Sequence, residues 1–228
     1  MKGFQRLILT GAMALITSTQ ASAAVIDLFD YAFNIDGTVT NQAAPAGVNV
    51  GGFDTSTGLG TINVTRSGVG SHYVGLFVDH EIDEAINTFF NESGSTSGAA
   101  ASGQTWEIDE PGWVFGDIYT NLGLSALDGT NGVPAGSEED VSMAMGWDFN
   151  LLAGETGLIS FLISVNAPAS GFYLAQTDPD SQSSIYLSSN LTIRDGGGGG
   201  AAPEPATMGL LGIGLLGLWQ SRRRHPAM

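Results

Sequence analysis

The sequence predicts a mainly β domain: an antiparallel β-sandwich or jelly-roll-like body with one short helix, flanked by an N-terminal signal peptide and a C-terminal apolar helix. Three observations carry that prediction. Val141, Met143, Met145, Trp147 and Phe149 alternate with small or polar residues, so all five share one face of a strand. The other apolar stretches of the body are short and separated by turn-forming residues, as Ala153-Gly154-Glu155-Thr156-Gly157 separates that strand from the run at 158–165. Both ends of the chain differ in character from the body and stand outside the fold.

Residues 1–23 read as a secretory signal peptide. Lys2 and Arg6 form a basic n-region, residues 7–16 an apolar h-region, and Ala21-Ser22-Ala23 a small-x-small cleavage site, which places the mature N-terminus at Ala24. The body then spans 24–194, a length suited to one domain with a substantial core. Its expected strands, in order, are 25–33, 61–65, 73–78, 113–119, 141–149, 158–165, 171–176 and 184–193. The run 158–165 is continuously apolar and reads as more fully buried than its hairpin partner 141–149. The last two strands are expected to pair across Asp178-Pro179-Asp180, an Asx-type turn. Ile82, Ala85, Ile86, Phe89 and Phe90 recur at helical spacing, which predicts the short helix over 83–91, packed on the sandwich. Residues 93–103 are small and polar and read as a mobile loop. Residues 195–202, an Asp followed by five glycines and two alanines, read as a flexible linker.

Charge narrows the partners. Seven Lys and Arg stand against 23 Asp and Glu. Lys2, Arg6 and Arg222, Arg223 and Arg224 fall in the end segments, leaving Arg66 and Arg194 against 22 acids over residues 24–195, a formal charge of about −20. Such a field excludes nucleic acid and disfavours anionic membrane surfaces; divalent cations, cationic surfaces and neutral glycans remain. There is no cysteine, so the domain has neither a disulfide framework nor thiol chemistry.

Acidic clusters supply the candidate metal ligands: Asp79, Glu81 and Asp83 (with Glu84), Glu107 and Asp109 (with Glu110), Glu138-Glu139-Asp140, and Asp178 with Asp180. Their all-oxygen character suits calcium, with Asp79, Glu81, Asp83, Glu107 and Asp109 the expected ligands, although no EF-hand loop or glycine-rich nonapeptide repeat is present. Glu138-Glu139-Asp140 also reads as a solvated run before a strand, and His80 as a polar residue at a strand-to-helix junction. His72 and His80, eight apart, are weak grounds for a transition metal. Glu107 and Asp109 share a strand face, similar to the E-x-D-x-(x)-E strand of laminarinase-like glycosidases, whose retaining members hold two carboxyls about 5–5.5 Å apart. Pro111 and Gly112 stand where the third acid belongs. No Gly-x-Ser-x-Gly elbow occurs. The expectation is therefore a non-enzyme without catalytic residues, with a polysaccharide-active glycoside hydrolase using the Glu-x-Asp pair as the alternative. Trp106 and Trp113 are the candidate glycan-stacking rings, with Tyr119 and Tyr173 also available, whereas Trp147 and Phe149 belong to the core face.

Residues 203–228 form the C-terminal segment. Pro203-Glu204-Pro205 precedes the apolar run 206–219, and Arg222-Arg223-Arg224 follow it almost at the terminus. As a helix the run would be roughly 21 Å long, short of the ~30 Å hydrocarbon core, with the arginines held on the cytoplasmic side. In order and spacing these three elements resemble the PEP-CTERM sorting signal of Gram-negative bacteria. Blocks such as Asp79-His80-Glu81-Ile82-Asp83-Glu84-Ala85 and Trp106-Glu107-Ile108-Asp109-Glu110-Pro111-Gly112 resemble stretches of one group of PEP-CTERM domain proteins. The resemblance implies a C-terminal sorting helix that meets an exosortase-type processing enzyme during transient residence in the inner membrane. It also implies a final location in the cell envelope, at the cell surface or in the extracellular matrix, frequently in association with extracellular polysaccharide. Pro203, Glu204 and Pro205 would be the recognition element, and Arg222, Arg223 and Arg224 the cytoplasmic stop.

Overall fold

The computed structural model describes residues 24–195. The expected signal peptide (1–23), the glycines of the linker and the segment 203–228 with its apolar run lie outside the described residues. Among the described residues no helix is long and apolar enough to cross a membrane.

Alternating side chains and glycine-rich turns produce two antiparallel sheets. The first has the order β2 (Thr38–Asn41), β1 (Ile26–Ile35), β5 (Gly70–Ile82), β8 (Ser142–Leu151), β7 (Gln104–Asp109). The second has the order β3 (Val48–Phe53), β4 (Gly60–Ser67), β9 (Glu155–Ser164), β11 (Ser183–Asp195), β10 (Tyr173–Asp178), β6 (Ser93–Ser97). The sheets stack as a sandwich. Phe33, Leu76, Met143, Met145 and Trp147 of the first face Ile62, Phe161, Ile163, Leu174 and Leu187 of the second in one buried cluster. The expected Met143–Phe149 face is that core face. The outer side of the first sheet carries a smaller cluster of Ala32, Phe77 and Ala144, roofed by Ile118 and Leu122 of the short helix α1 (Ile118–Gly123) and by Leu127.

Several expectations need correction. The helix over 83–91 does not form: Asp83 takes φ +57° and receives the Val25 N–H, and only one turn, closed by the Ile86 and Asn87 N–H groups on the Asp83 carbonyl, follows. Asn87 and Asn91 instead donate their side-chain amides to Asp178, an alternative that competes with helix formation. Ile86, Phe89 and Phe90 are consequently exposed rather than packed on the sandwich. Residues 113–119 are not a strand, because Gly112 and Gly116 adopt φ of +95° and +75° and turn the chain into α1, which is the molecule's helix among the described residues. Half of the expected mobile loop at 93–103 is β6, paired with β10. The run 158–165 does not form the expected hairpin with 141–149, because the turn at 152–154 carries the chain from the first sheet to the second, where β9 pairs with β4 and β11. It is buried on one face only: Ile159, Phe161 and Ile163 point inward, while Leu162 and Val165 are exposed. Asp195, placed in the linker by sequence, ends β11 opposite Glu155.

The one-sided burial of β9 has a measurable consequence. Phe161→Ala removes a fully buried ring and is expected to cost about 3–5 kcal/mol. Leu162→Ala, on the wet face of the same strand, should stay within about 1 kcal/mol. Urea unfolding of both variants checks this, and a similar loss in each would contradict the assigned faces.

Candidate functional site

The site begins with the length of β5. Expected to stop at Val78, the strand runs on to Ile82, so Asp79, His80 and Glu81 alternate within it. His80 faces the core and is fully buried, not at a junction; its Nε2–H donates to the Gly58 carbonyl at 3.3 Å, and burial pushes its pKa down to about 4. Asp79 and Glu81 face the outer side of the sheet. Asp79 is in register with Ser142 on β8 and Asp30 on β1, and Ser142 in turn with Asp109 on β7, so a polar row crosses four strands. A bulge in β1 between Leu28 and Asp30 keeps Leu28 inward and Asp30 outward, and leaves Phe29 projecting into solvent.

Two carboxylate groups form on this outer side. In the first, one oxygen from each of Asp79, Glu81 and Asp140 lies within 4.8 Å of the others. The Ser142 hydroxyl donates to Asp79 Oδ1 at 2.8 Å. Glu81 is 7 % exposed, and its Oε2 is buried without a hydrogen-bond partner; so is Asp140 Oδ1. Burial, then mutual repulsion, pushes Asp79 up to about 7 and Glu81 up to about 9; burial with Glu110 and Glu139 nearby pushes Asp140 up to about 6. Asp140 was expected in a solvated run, whereas the turn into β8 carries it inward while Glu138 and Glu139 stay exposed. Asp83 does not join the group; its carboxylate is engaged by the Val25 N–H.

The second group is Glu107, Asp109 and Asp117, again with one oxygen each within 4.8 Å. Glu107 and Asp109 do share a strand face, as expected, and the third acid comes from the loop before α1 rather than from β7. Its two strand acids are already satisfied and Asp117 is exposed to water: Asn121 donates to both Glu107 oxygens, the Asp128 N–H to Glu107 Oε2, and the Asp117 N–H to Asp109 Oδ2. Glu107 is 1 % exposed, and burial pushes it up to about 7 against those donors. A third buried acid, Glu92, is also satisfied, accepting from the Ile82 N–H and from the Gln176 amide; burial pushes it up to about 8. Asp178 receives the Asp180 N–H at 2.8 Å in the expected Asx turn.

Over the first group lies a groove of about 540 Å³. Its apolar wall is Phe29, Phe89, Phe90, Trp113, Val114 and Phe115, all exposed. Glu81 and Asp140 lie at its base, with Glu84, Glu110 and Glu139 around it. Trp113 packs against Tyr119 with ring centroids 5.1 Å apart and planes tilted by 42°, and Phe89 meets Phe90 edge-to-face at 5.2 Å. Trp106 is not part of the groove: it packs against the core and Phe172. Tyr173 pairs with Tyr186 on the second sheet. Sequence reasoning missed Phe29, Phe89, Phe90 and Phe115, whose exposure follows from the bulge, from the absent helix and, for Phe115, from the glycine turns before α1.

The raised pKa values set the sign of the pH dependence. The folded protein holds protons on Asp79, Glu81, Glu92 and Glu107 more tightly than the unfolded chain does, so stability contributed by protonation is lost as pH rises from the ordinary carboxylate range toward about 9. In the presence of EDTA, Tm is therefore expected to fall between pH 5 and about 9. A Tm that is flat or rising across that window would contradict the burial described here.

Comparison with curated proteins and with solved structures gave no match. Residues 201–224 match the family described as the PEP-CTERM protein-sorting motif. That stretch contains Pro203-Glu204-Pro205 and Arg222-Arg223-Arg224, the residues that carried the resemblance. The chain thus bears a PEP-CTERM protein-sorting motif, the mark of an exosortase-sorted, exported protein directed to the cell envelope or surface.

Proposed function

We propose that the folded body is a non-enzymatic module of the cell surface or extracellular matrix that binds polysaccharide in the groove beside Trp113. The observation that carries this reading is the groove itself: six exposed apolar side chains, four of them phenylalanines and one a tryptophan, converge above carboxylates. Isolated exposed hydrophobes are ordinary, but a contiguous apolar wall with a polar base is the form of a binding site. Pyranose rings present C–H faces that stack on aromatic rings, and their hydroxyls donate to carboxylates. The body's negative field favours a neutral glycan over an anionic one. Export by the sorting route brings such a module to where polysaccharide is found.

The hydrolase alternative draws less support. It needs Glu107 and Asp109 to reach substrate, yet Glu107 is nearly fully buried, held by Asn121 and Asp128, and neither acid lines the groove.

Affinity electrophoresis of the purified protein through gels containing neutral polysaccharides, including laminarin and agarose, tests the reading. Retardation is expected in at least one gel, weakened on the order of 10-fold by Trp113→Ala, as for an aromatic anchor at a binding centre. Unretarded migration in every gel, or equal retardation of the variant, would count against the groove.

A further inference from the structure

We infer that Asp79, Glu81 and Asp140 form a binding site for a divalent cation of the calcium type at the base of the aromatic groove. A cluster of acids alone would not warrant this, since the Glu107 group is also acidic and needs no ion. The difference lies in what each group already accepts. Every carboxylate of the Glu107 pair on β7 takes N–H donors from α1 or its flanking loops. Glu81, more than nine-tenths buried, places an oxygen in the first group and accepts no hydrogen bond, and the half-buried Asp140 also contributes an oxygen and leaves its buried Oδ1 without a partner. A buried carboxylate oxygen without a partner costs free energy unless a proton or a cation meets it.

Among the described residues no protein cation is available to do so. Arg66 pairs with Asp36, and Arg194 stands on β11 in the other sheet, opposite Thr156. The geometry fits an ion: ligand oxygens on opposite sides of a calcium ion, each about 2.3–2.6 Å from it, are about 5 Å apart, and the three oxygens here lie within 4.8 Å of one another. The donor set is all oxygen, because His80, between two of the ligands in sequence, faces the opposite side of the sheet. Hard carboxylates without imidazole or thiolate select calcium or magnesium over zinc or copper. Two ligands come from one strand and the third from the entry to its neighbour, so the ion would tie β5 to β8 at the end of the sheet where α1 gives no cover. The inference stands apart from the glycan reading, since it rests on the base of the groove and not on its wall.

The test uses purified full-length protein in detergent, stripped with EDTA. It is titrated with Ca²⁺ while Tm is followed, and separately with Tb³⁺ while terbium emission is excited through tryptophan, Trp113 lining the same groove. At about 100 times the dissociation constant, Ca²⁺ should raise Tm by about 5–10 °C, and Tb³⁺ emission should saturate and be displaced by Ca²⁺. Glu81→Gln should lose both responses while melting in EDTA no lower than the parent, because it removes a buried acid at constant shape; that melt also shows that the variant folds. Glu107→Gln should keep the calcium response. Absence of any Ca²⁺ or Tb³⁺ response, an unchanged response in Glu81→Gln, or its loss in Glu107→Gln alone would overturn the assignment. Loss of polysaccharide retention with the cation response intact would overturn only the glycan reading.

Discussion

A carboxylate taken out of water must be met by a proton, a cation or a set of N–H donors, and this body has two arginines to set against 22 acids. That constraint organises the outer side of the first sheet. Glu107 and Glu92 are met by donors: Asn121 and the Asp128 N–H for one, Gln176 and the Ile82 N–H for the other. Those contacts join segments far apart in the chain: the bonds that satisfy Glu107 hold α1 and the loop after it over the sheet, and those that satisfy Glu92 link β5 to β10 of the second sheet. Asp79 has the Ser142 hydroxyl and the nearby Trp113 indole N–H, while Glu81 and Asp140 are left with oxygens that nothing in the protein reaches.

The groove follows from the same end of the fold. α1 and Leu127 roof the outer face only as far as Phe77 and Ala144. Beyond them the sheet would present bare carboxylates, and the chain instead brings in two loops rich in aromatics, one from the bend after β5 and one from the glycine turns before α1. Neither loop buries its rings, so the aromatics stand free above the acids. An exported chain without disulfides has its main core between the sheets for stability and leaves this outer side as its chemically distinctive surface.

The sandwich was legible wherever alternation was strong. The Met143–Phe149 face, the hairpin of β10 and β11 and the Asx turn at Asp178 follow from spacing and turn chemistry, and the C-terminal motif from three elements in order, whereas β8 and β9, expected to pair, went to different sheets. β2, β3 and β6 escaped because Thr, Asn, Ser and Gly dominate them and give no hydrophobic period. The spacing of Ile82, Ala85, Ile86, Phe89 and Phe90 pointed to a helix, but Asn87 and Asn91 find better partners in Asp178, 87 or more residues away, than in their own backbone. Of the expected metal ligands, Asp79 with Glu81 and Glu107 with Asp109 were visible as i, i+2 pairs. Asp140 and Asp117, which complete the two groups, arrive through sheet pairing and loop path, and no local pattern encodes that.

Crystals grown with terbium would test the central claim most directly, through an anomalous difference map. The account predicts one dominant peak among Asp79, Glu81 and Asp140, within coordinating distance of Glu81 Oε2 and Asp140 Oδ1. A peak at Glu107, Asp109 and Asp117 instead, or no peak on the outer side of the first sheet, would contradict it.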